Sequence, residues 1–437
     1  MTGQNGAHAP RAAWDEALRD TARVFTRPSF AIFTTLLTGW VLAPGRRTIC
    51  AMIGVADPAS IRAHDAYHRF VRVGRWSMSE LWRIAVVRVV AALCPSGVVP
   101  LDLDDSLWHK SGAKVNGAGS FRDAVRSTRN KIVYATGLNL VVVTLRVTPP
   151  WGGSPIGLPV SVRLHRKGGP TTHDAAVEMV SELAAWLPER SFLLCADGAY
   201  APLIGRALPR TTVISRLRRD AALFEAAPPP TGRRGRPRTK GARLPDVAAL
   251  AGAAPAKAWK KATLDCRGRA VESLVWSRRV LWYGVDKRNL VLLVVVKDPS
   301  GHQPLDFFVC SAPDADAAWV ASHYTGRWSI ECVFREAKQV LGAENPQSWK
   351  GIGPERAAAL SLWLMTAIWA WYIPAYGATP TWKDRPWYRA KATPSFLDAL
   401  AALRRVLWRD RITTMSASPP DSPEIIDGLI DVLASAA

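Results

Sequence analysis

Up to about residue 97, apolar positions recur every three to four residues; beyond it they fuse into short, nearly continuous runs. The first pattern predicts five helices, near 14–25, 30–40, 47–55, 60–70 and 79–93, separated by Gly, Pro and small polar residues. The second predicts strands at 98–104, 132–147, 158–164, 191–195 and 211–216, with a helix at 171–187 before the fourth of them. Strands mixed with helices after a helical opening argue for an α/β domain behind an all-helical N-terminal segment. A tract rich in Pro, Gly and Arg, 226–245, interrupts the α/β pattern, and strand-like runs follow at 273–283, 290–296 and 306–310. Helical periodicity then resumes near residue 314 and continues through 395–408, with a short C-terminal helix after a Ser/Pro-rich break. The run 357–376 is long and apolar enough for a membrane span, but it stands alone, is Trp-rich and follows Pro354-Glu-Arg. It is expected to be a buried core helix.

The 437 residues carry a net charge of +21, spread along the whole length. That is the electrostatic footprint of a protein for a long polyanion, and duplex DNA suits it better than a small acidic ligand. No amphipathic anchor or lipidation signal favours a membrane surface. The six cysteines are scattered without a CxxC pair, and no Cys/His set shows ligand spacing in sequence, so reduced thiols in a cytosolic protein and no zinc site are expected.

Three segments carry acids where chemistry would need them. Leu101-Asp102-Leu-Asp104-Asp105-Ser106 ends one apolar strand, and Phe192-Leu-Leu-Cys-Ala-Asp197-Gly-Ala-Tyr200 ends another. Alternation puts Asp102 and Asp104 on one face and Asp105 on the other. Tyr324-Thr-Gly-Arg327-Trp-Ser-Ile-Glu331-Cys-Val-Phe-Arg-Glu-Ala-Lys338 reads as one helix, with Arg327, Glu331 and Lys338 on a shared stripe and Tyr324 a turn before. Three carboxylates from separate segments, flanked by cations, form a set that can hold divalent metal ions against a phosphodiester. Asp104 is the first choice on its strand and Asp102 the alternative.

The spacing of Tyr324, Arg327, Glu331 and Lys338 resembles the Tyr-x2-Arg-x3-Glu-x6-Lys signature of insertion-sequence DDE transposases. Asp104-Asp105-Ser106 and Ala196-Asp197-Gly-Ala-Tyr200 are similar to the segments of that family that carry its first two acids. The resemblance covers roughly 98–350. It implies an RNase H-like α/β fold, a mixed sheet with flanking helices and a β-rich insertion before the Glu helix. It places the catalytic, metal-holding triad on Asp104, Asp197 and Glu331, with two Mg²⁺ (or Mn²⁺) ions. Tyr324, Arg327, Lys338 and Arg216 would contact DNA, and Trp276 would stack on a flipped base. The Gly-Arg-Pro strip, through Arg234, Arg236 and Arg238, suits a narrow minor groove or plain phosphate contact.

The division implied is 1–97, a basic helical segment for DNA ends; 98–220, the first part of the catalytic domain; 221–313, basic linker and β-rich insertion; 314–350, the Glu helix; and 351–437, a helical C-terminal region. The function implied is cutting and joining of double-stranded DNA at element ends and target, by a homodimer on DNA in a prokaryotic, nucleoid-associated, cytoplasmic setting, with excision through a hairpin. A nuclease or resolvase of RNase H-like fold, and a non-catalytic DNA-binding derivative, are the competing readings.

Overall fold

The computed structural model describes residues 4–128, 130–229, 237–382, 387, 390–415 and 423–435. Five helices come first, as the periodicity predicts: α1 (Gln4–Arg19), α2 (Arg27–Leu42), α3 (Ile49–Ala56), α4 (His64–Val73) and α5 (Met78–Leu93). Side chains of Thr26, Thr48 and Ser77 accept backbone N–H groups of Ser29, Ala51 and Glu80, capping the otherwise orphaned amides that open α2, α3 and α5.

The chain then builds β1 (Val99–His109), β2 (Gly119–Arg122), β3 (Tyr134–Val147), β4 (Ile156–His165), α6 (Thr172–Trp186), β5 (Phe192–Ala196) and β6 (Thr211–Arg216). After α7 (Val247–Gly252) come β7 (Lys260–Asp265), β8 (Ala270–Val280), β9 (Val291–Lys297) and β10 (Asp306–Cys310). All ten strands join one sheet. β3 runs antiparallel to β1 and β4, whereas β5 and β6 run parallel to β1. This is the mixed sheet of an RNase H-like fold. The β-rich insertion extends that sheet: β10 pairs antiparallel with β6, and β9, β8 and β7 follow outward.

The last helices are α8 (Ala317–Gly326), α9 (Trp328–Gln339), α10 (Gly353–Tyr376), α11 (Phe396–Met415) and α12 (Pro423–Ser435). The apolar run that could pass for a membrane span is α10, and it is buried along most of its length. N-terminal and C-terminal helices share one apolar core with the sheet. The indole of Trp40 donates to the Leu341 carbonyl at 2.9 Å, that of Trp363 to Leu81 at 3.1 Å, and Arg404 Nε to Val41 at 2.8 Å. The N-terminal helices are thus bolted directly to the C-terminal part of the chain. A smaller apolar cluster on the sheet carries α8, with Tyr324 packed on Phe308 at a centroid distance of 4.6 Å.

Candidate active site

Strand alternation sorts the three acids of β1. Asp102 is fully buried. It accepts from Arg146 of β3, from Nε at 3.1 Å and also from Nη2, and from Ser329 Oγ of α9 at 2.8 Å. Arg146 also donates to the His323 carbonyl at 2.7 Å. Asp102 therefore lies in a strut between the sheet and the α8–α9 junction. Asp105 faces the other way and accepts from the Tyr200 hydroxyl at 2.8 Å. Asp104 is the other acid on the Asp102 face, and it accepts from Arg327 Nη1 at 2.8 Å; the acids lie at mid-strand and do not end it as expected, because β1 pairs with β3 as far as His109.

The second acid follows from register. β1 and β5 are parallel neighbours with Leu103 opposite Ala196, so the next step sets Asp104 beside Asp197. Asp197 leaves the sheet at that point, and its carbonyl is pinned by Ser215 Oγ at 2.9 Å and by the Tyr200 amide at 2.8 Å. β5 ends there while β1 runs on to His109, so the crevice opens over the end of β5 beside the middle of β1; the carboxyl ends of parallel strands are where open α/β folds hold ligands.

The third acid sits on α9, and one expectation needs correcting here. Tyr324 to Lys338 is not a single helix: α8 ends at Gly326 and α9 starts at Trp328, with Arg327 at the junction. Gly326 leaves room there for Arg146, since a Cβ would lie 2.7 Å from the Arg146 guanidinium and push it aside. The junction swings Arg327 over the crevice. Its Nη2 donates to Glu331 at 2.9 Å while Nη1 holds Asp104, so one guanidinium bridges two of the predicted acids. Gly157 of β4 lets α9 approach the sheet, since a Cβ would meet Val333 at 2.9 Å.

Electrostatics mark the crevice. Burial pushes the Asp104 carboxyl up to about 6; Arg327 pulls it down, while Asp105 and Asp197 push it further up. Burial likewise raises the Tyr324 phenol to about 12 and lowers the Lys338 ammonium from its usual range. Lys338 lies on α9 but donates to Ser106 Oγ at 2.8 Å and to the Leu107 carbonyl at 2.7 Å, which ties the helix to β1. A half-buried carboxylate of raised proton affinity, among other carboxylates and balanced by one arginine, is a hard-oxygen donor set short of positive charge. That chemistry fits a hard divalent cation.

A cavity of about 760 Å³ opens beside these groups and is lined by Asp197, Glu331, Tyr324, Arg327 and Arg216, while Asp104, behind Arg327, and Lys338 lie outside its wall. It also holds residues that sequence reasoning missed: Arg267, Arg269 and Trp328. The two arginines belong to the tight β7–β8 turn, where Asp265 accepts the Gly268 amide at 2.7 Å and Ser154 Oγ donates to the Arg267 carbonyl at 3.0 Å. The Arg267 guanidinium lies 4.1 Å from the Trp328 ring, which is 41% exposed. The Asp-x-x-Gly turn was the available signal; its position over the acids was not.

Trp276 is corrected to a packing residue: it is 8% exposed, lies in the core 6.3 Å from the Trp259 ring, and is absent from the cavity wall. Arg216 reaches the cavity and pairs with Asp306 across β6 and β10. Arg234 and Arg236 lie outside the described residues, and Arg238 is exposed.

The family described as DDE superfamily endonuclease matches residues 22–281, a span that holds Asp104 and Asp197 and ends before Glu331. A comparison with curated proteins returned no match. With more than half of its 437 residues matched, the chain belongs to the DDE superfamily endonuclease family.

Proposed function

We propose that this endonuclease is an insertion-element transposase, cutting and joining double-stranded DNA with Asp104, Asp197 and Glu331 as the carboxylates that hold a pair of Mg²⁺ (or Mn²⁺) ions. The observation that carries the reading is Arg327, whose single guanidinium bridges Asp104 and Glu331 beside the Asp197 strand end. Bound divalent cations supply the charge that acidifies water and neutralises a transferring phosphoryl group.

The chain's own residues do the rest. Arg327 balances the acids in the free protein, and with divalent cations held by those acids its guanidinium would be free to meet a phosphate oxygen. Arg267, Arg269 and Arg216 hold the flanking phosphates along the cavity, and Arg238 extends the basic track. Tyr324 keeps its proton at neutral pH and donates it as a hydrogen bond, and Lys338 fixes α9 on β1 so that Glu331 stays in register. Water attacks the phosphodiester at the element end, releasing a 3′-hydroxyl and leaving a 5′-phosphate. The 3′-hydroxyl then attacks a target phosphodiester, forming one P–O bond as another breaks. Joining two ends in concert calls for a homodimer on DNA, in a cytoplasmic, nucleoid-associated setting.

A pre-cleaved duplex with a free 3′-hydroxyl, from the sequences that flank the gene, tests the reading. Incubated with the protein, Mg²⁺ and supercoiled plasmid, it is expected to become covalently joined to the plasmid. Hydrolysis of flank DNA with no joined product would reduce the protein to a nuclease.

A further inference from the structure

Away from the carboxylates, the N-terminal helices bring together three soft donors. Cys50 lies on α3, and His64 and His68 lie one turn apart on α4. Cys50 Sγ is 3.2 Å from His64 Nε2, and the Nε2 atoms of His64 and His68 are 3.3 Å apart. All three donor atoms fall within 4.8 Å of one another, the one such group of three among the described residues. Cys50 and His64 have 13 residues between them, so sequence spacing conceals the cluster.

The geometry matches a particular kind of ion. Tetrahedral Zn²⁺, with Zn–S of about 2.3 Å and Zn–N of about 2.05 Å, sets S and N about 3.6 Å apart and two N atoms about 3.4 Å apart. Both measured edges lie within about 0.4 Å of those values. The frame around the donors stands without metal. Buried Asp57, at the end of α3, accepts the Ile61 amide at 2.9 Å, the Arg62 amide at 3.1 Å and the Tyr67 hydroxyl at 2.9 Å, which fixes the α3–α4 connection. Cys50 and His64 are exposed and His68 half-buried, so an ion has an entry path and a free position for water. One thiolate and two imidazoles suit zinc and reject Mg²⁺.

We propose that Cys50, His64 and His68 form a zinc site that clamps α3 to α4, with water as the fourth ligand. It is independent of the catalytic carboxylates, which offer only oxygen.

The test is Co²⁺ titration of the full-length, chelator-stripped protein in excess Mg²⁺, followed by optical absorption. The expected result is one equivalent of Co²⁺ giving a thiolate charge-transfer band with the intense visible bands of four-coordination, displaced by stoichiometric Zn²⁺. Cys50→Ser removes the charge-transfer band, and His64→Gln and His68→Gln each weaken binding by at least about tenfold. Cys332→Ser, beside Glu331, leaves the band unchanged. Near-ultraviolet circular dichroism checks that each variant is folded; Cys50 and His64 are exposed, so their replacement opens no core cavity. No charge-transfer band, or a band that survives Cys50→Ser in the folded protein, overturns the proposal and leaves the three side chains as a hydrogen-bonded chain.

Discussion

Arg327 is buried, yet it faces carboxylates on both sides, and Asp104 carries the cost of that burial. Its carboxyl is raised from the ordinary 3.8 to about 6, so the folded protein binds this proton more tightly than the unfolded chain. The sign is fixed by that direction. Stability from this group is full below 3.8, falls as pH rises through the window up to about 6, and stays low above it. Asp104→Asn in the metal-free protein should therefore melt no lower than wild type at pH 8, with the advantage shrinking or reversing near pH 4. Differential scanning calorimetry at the two pH values checks this. A lower melting temperature for the variant at pH 8 would mean that the Arg327 pair outweighs desolvation. Mg²⁺ should raise the wild-type melting temperature at pH 8 and leave the variant less affected. Which acid of β1 matters was half legible in the sequence: alternation removed Asp105, but Asp102 and Asp104 share a face. Only Arg146, 44 residues away on β3, separates them, and nothing local to β1 announces that pairing.

At the scale of elements, the Asp102–Arg146–Ser329 strut sets the angle between α8 and α9 and thereby aims Glu331. Removing one partner of a buried pair strands the other charge, at a cost of about 3–5 kcal/mol. Arg146→Met is predicted to fall in that range by denaturant unfolding. The double variant Asp102→Asn, Arg146→Met should recover about 2 kcal/mol or more of the loss, because no charge is stranded. Equal destabilisation of single and double variants would show that Arg146 matters for its contact with the His323 carbonyl instead. The elements themselves were largely readable. The switch from helical periodicity to apolar runs separated the N-terminal helices from the sheet, and the Glu segment was recognised as helical. The break at Arg327 was not, because a glycine inside a helical pattern is tolerated more often than it ends one.

Across the whole molecule, a net charge of +21 is arranged so that arginines from β6, the β7–β8 turn and the α8–α9 junction converge on one cavity with three acids, Asp197, Asp306 and Glu331, in its wall. The charge was plain in the composition; its convergence depends on an insertion that extends the central sheet and folds its turn back over the acids. Affinity for duplex DNA should fall steeply with salt. Arg267→Ala combined with Arg269→Ala should flatten the slope of log affinity against log salt by roughly two units, about one for each phosphate contact. Fluorescence anisotropy over a salt series measures this, and an unchanged slope would move the DNA path away from the β7–β8 turn.

The central claim is that Asp104, Asp197 and Glu331 act together as metal-holding groups for DNA cleavage. It is tested most directly by Mg²⁺-dependent nicking of supercoiled plasmid carrying the gene's flanking sequences, comparing wild type with Asp104→Asn, Asp197→Asn and Glu331→Gln at protein concentrations that saturate the DNA. Each substitution keeps the shape of its side chain and removes a charge, so the account predicts loss of nicking in all three with DNA binding within about twofold of wild type. Wild-type nicking by any one of the folded variants would contradict it.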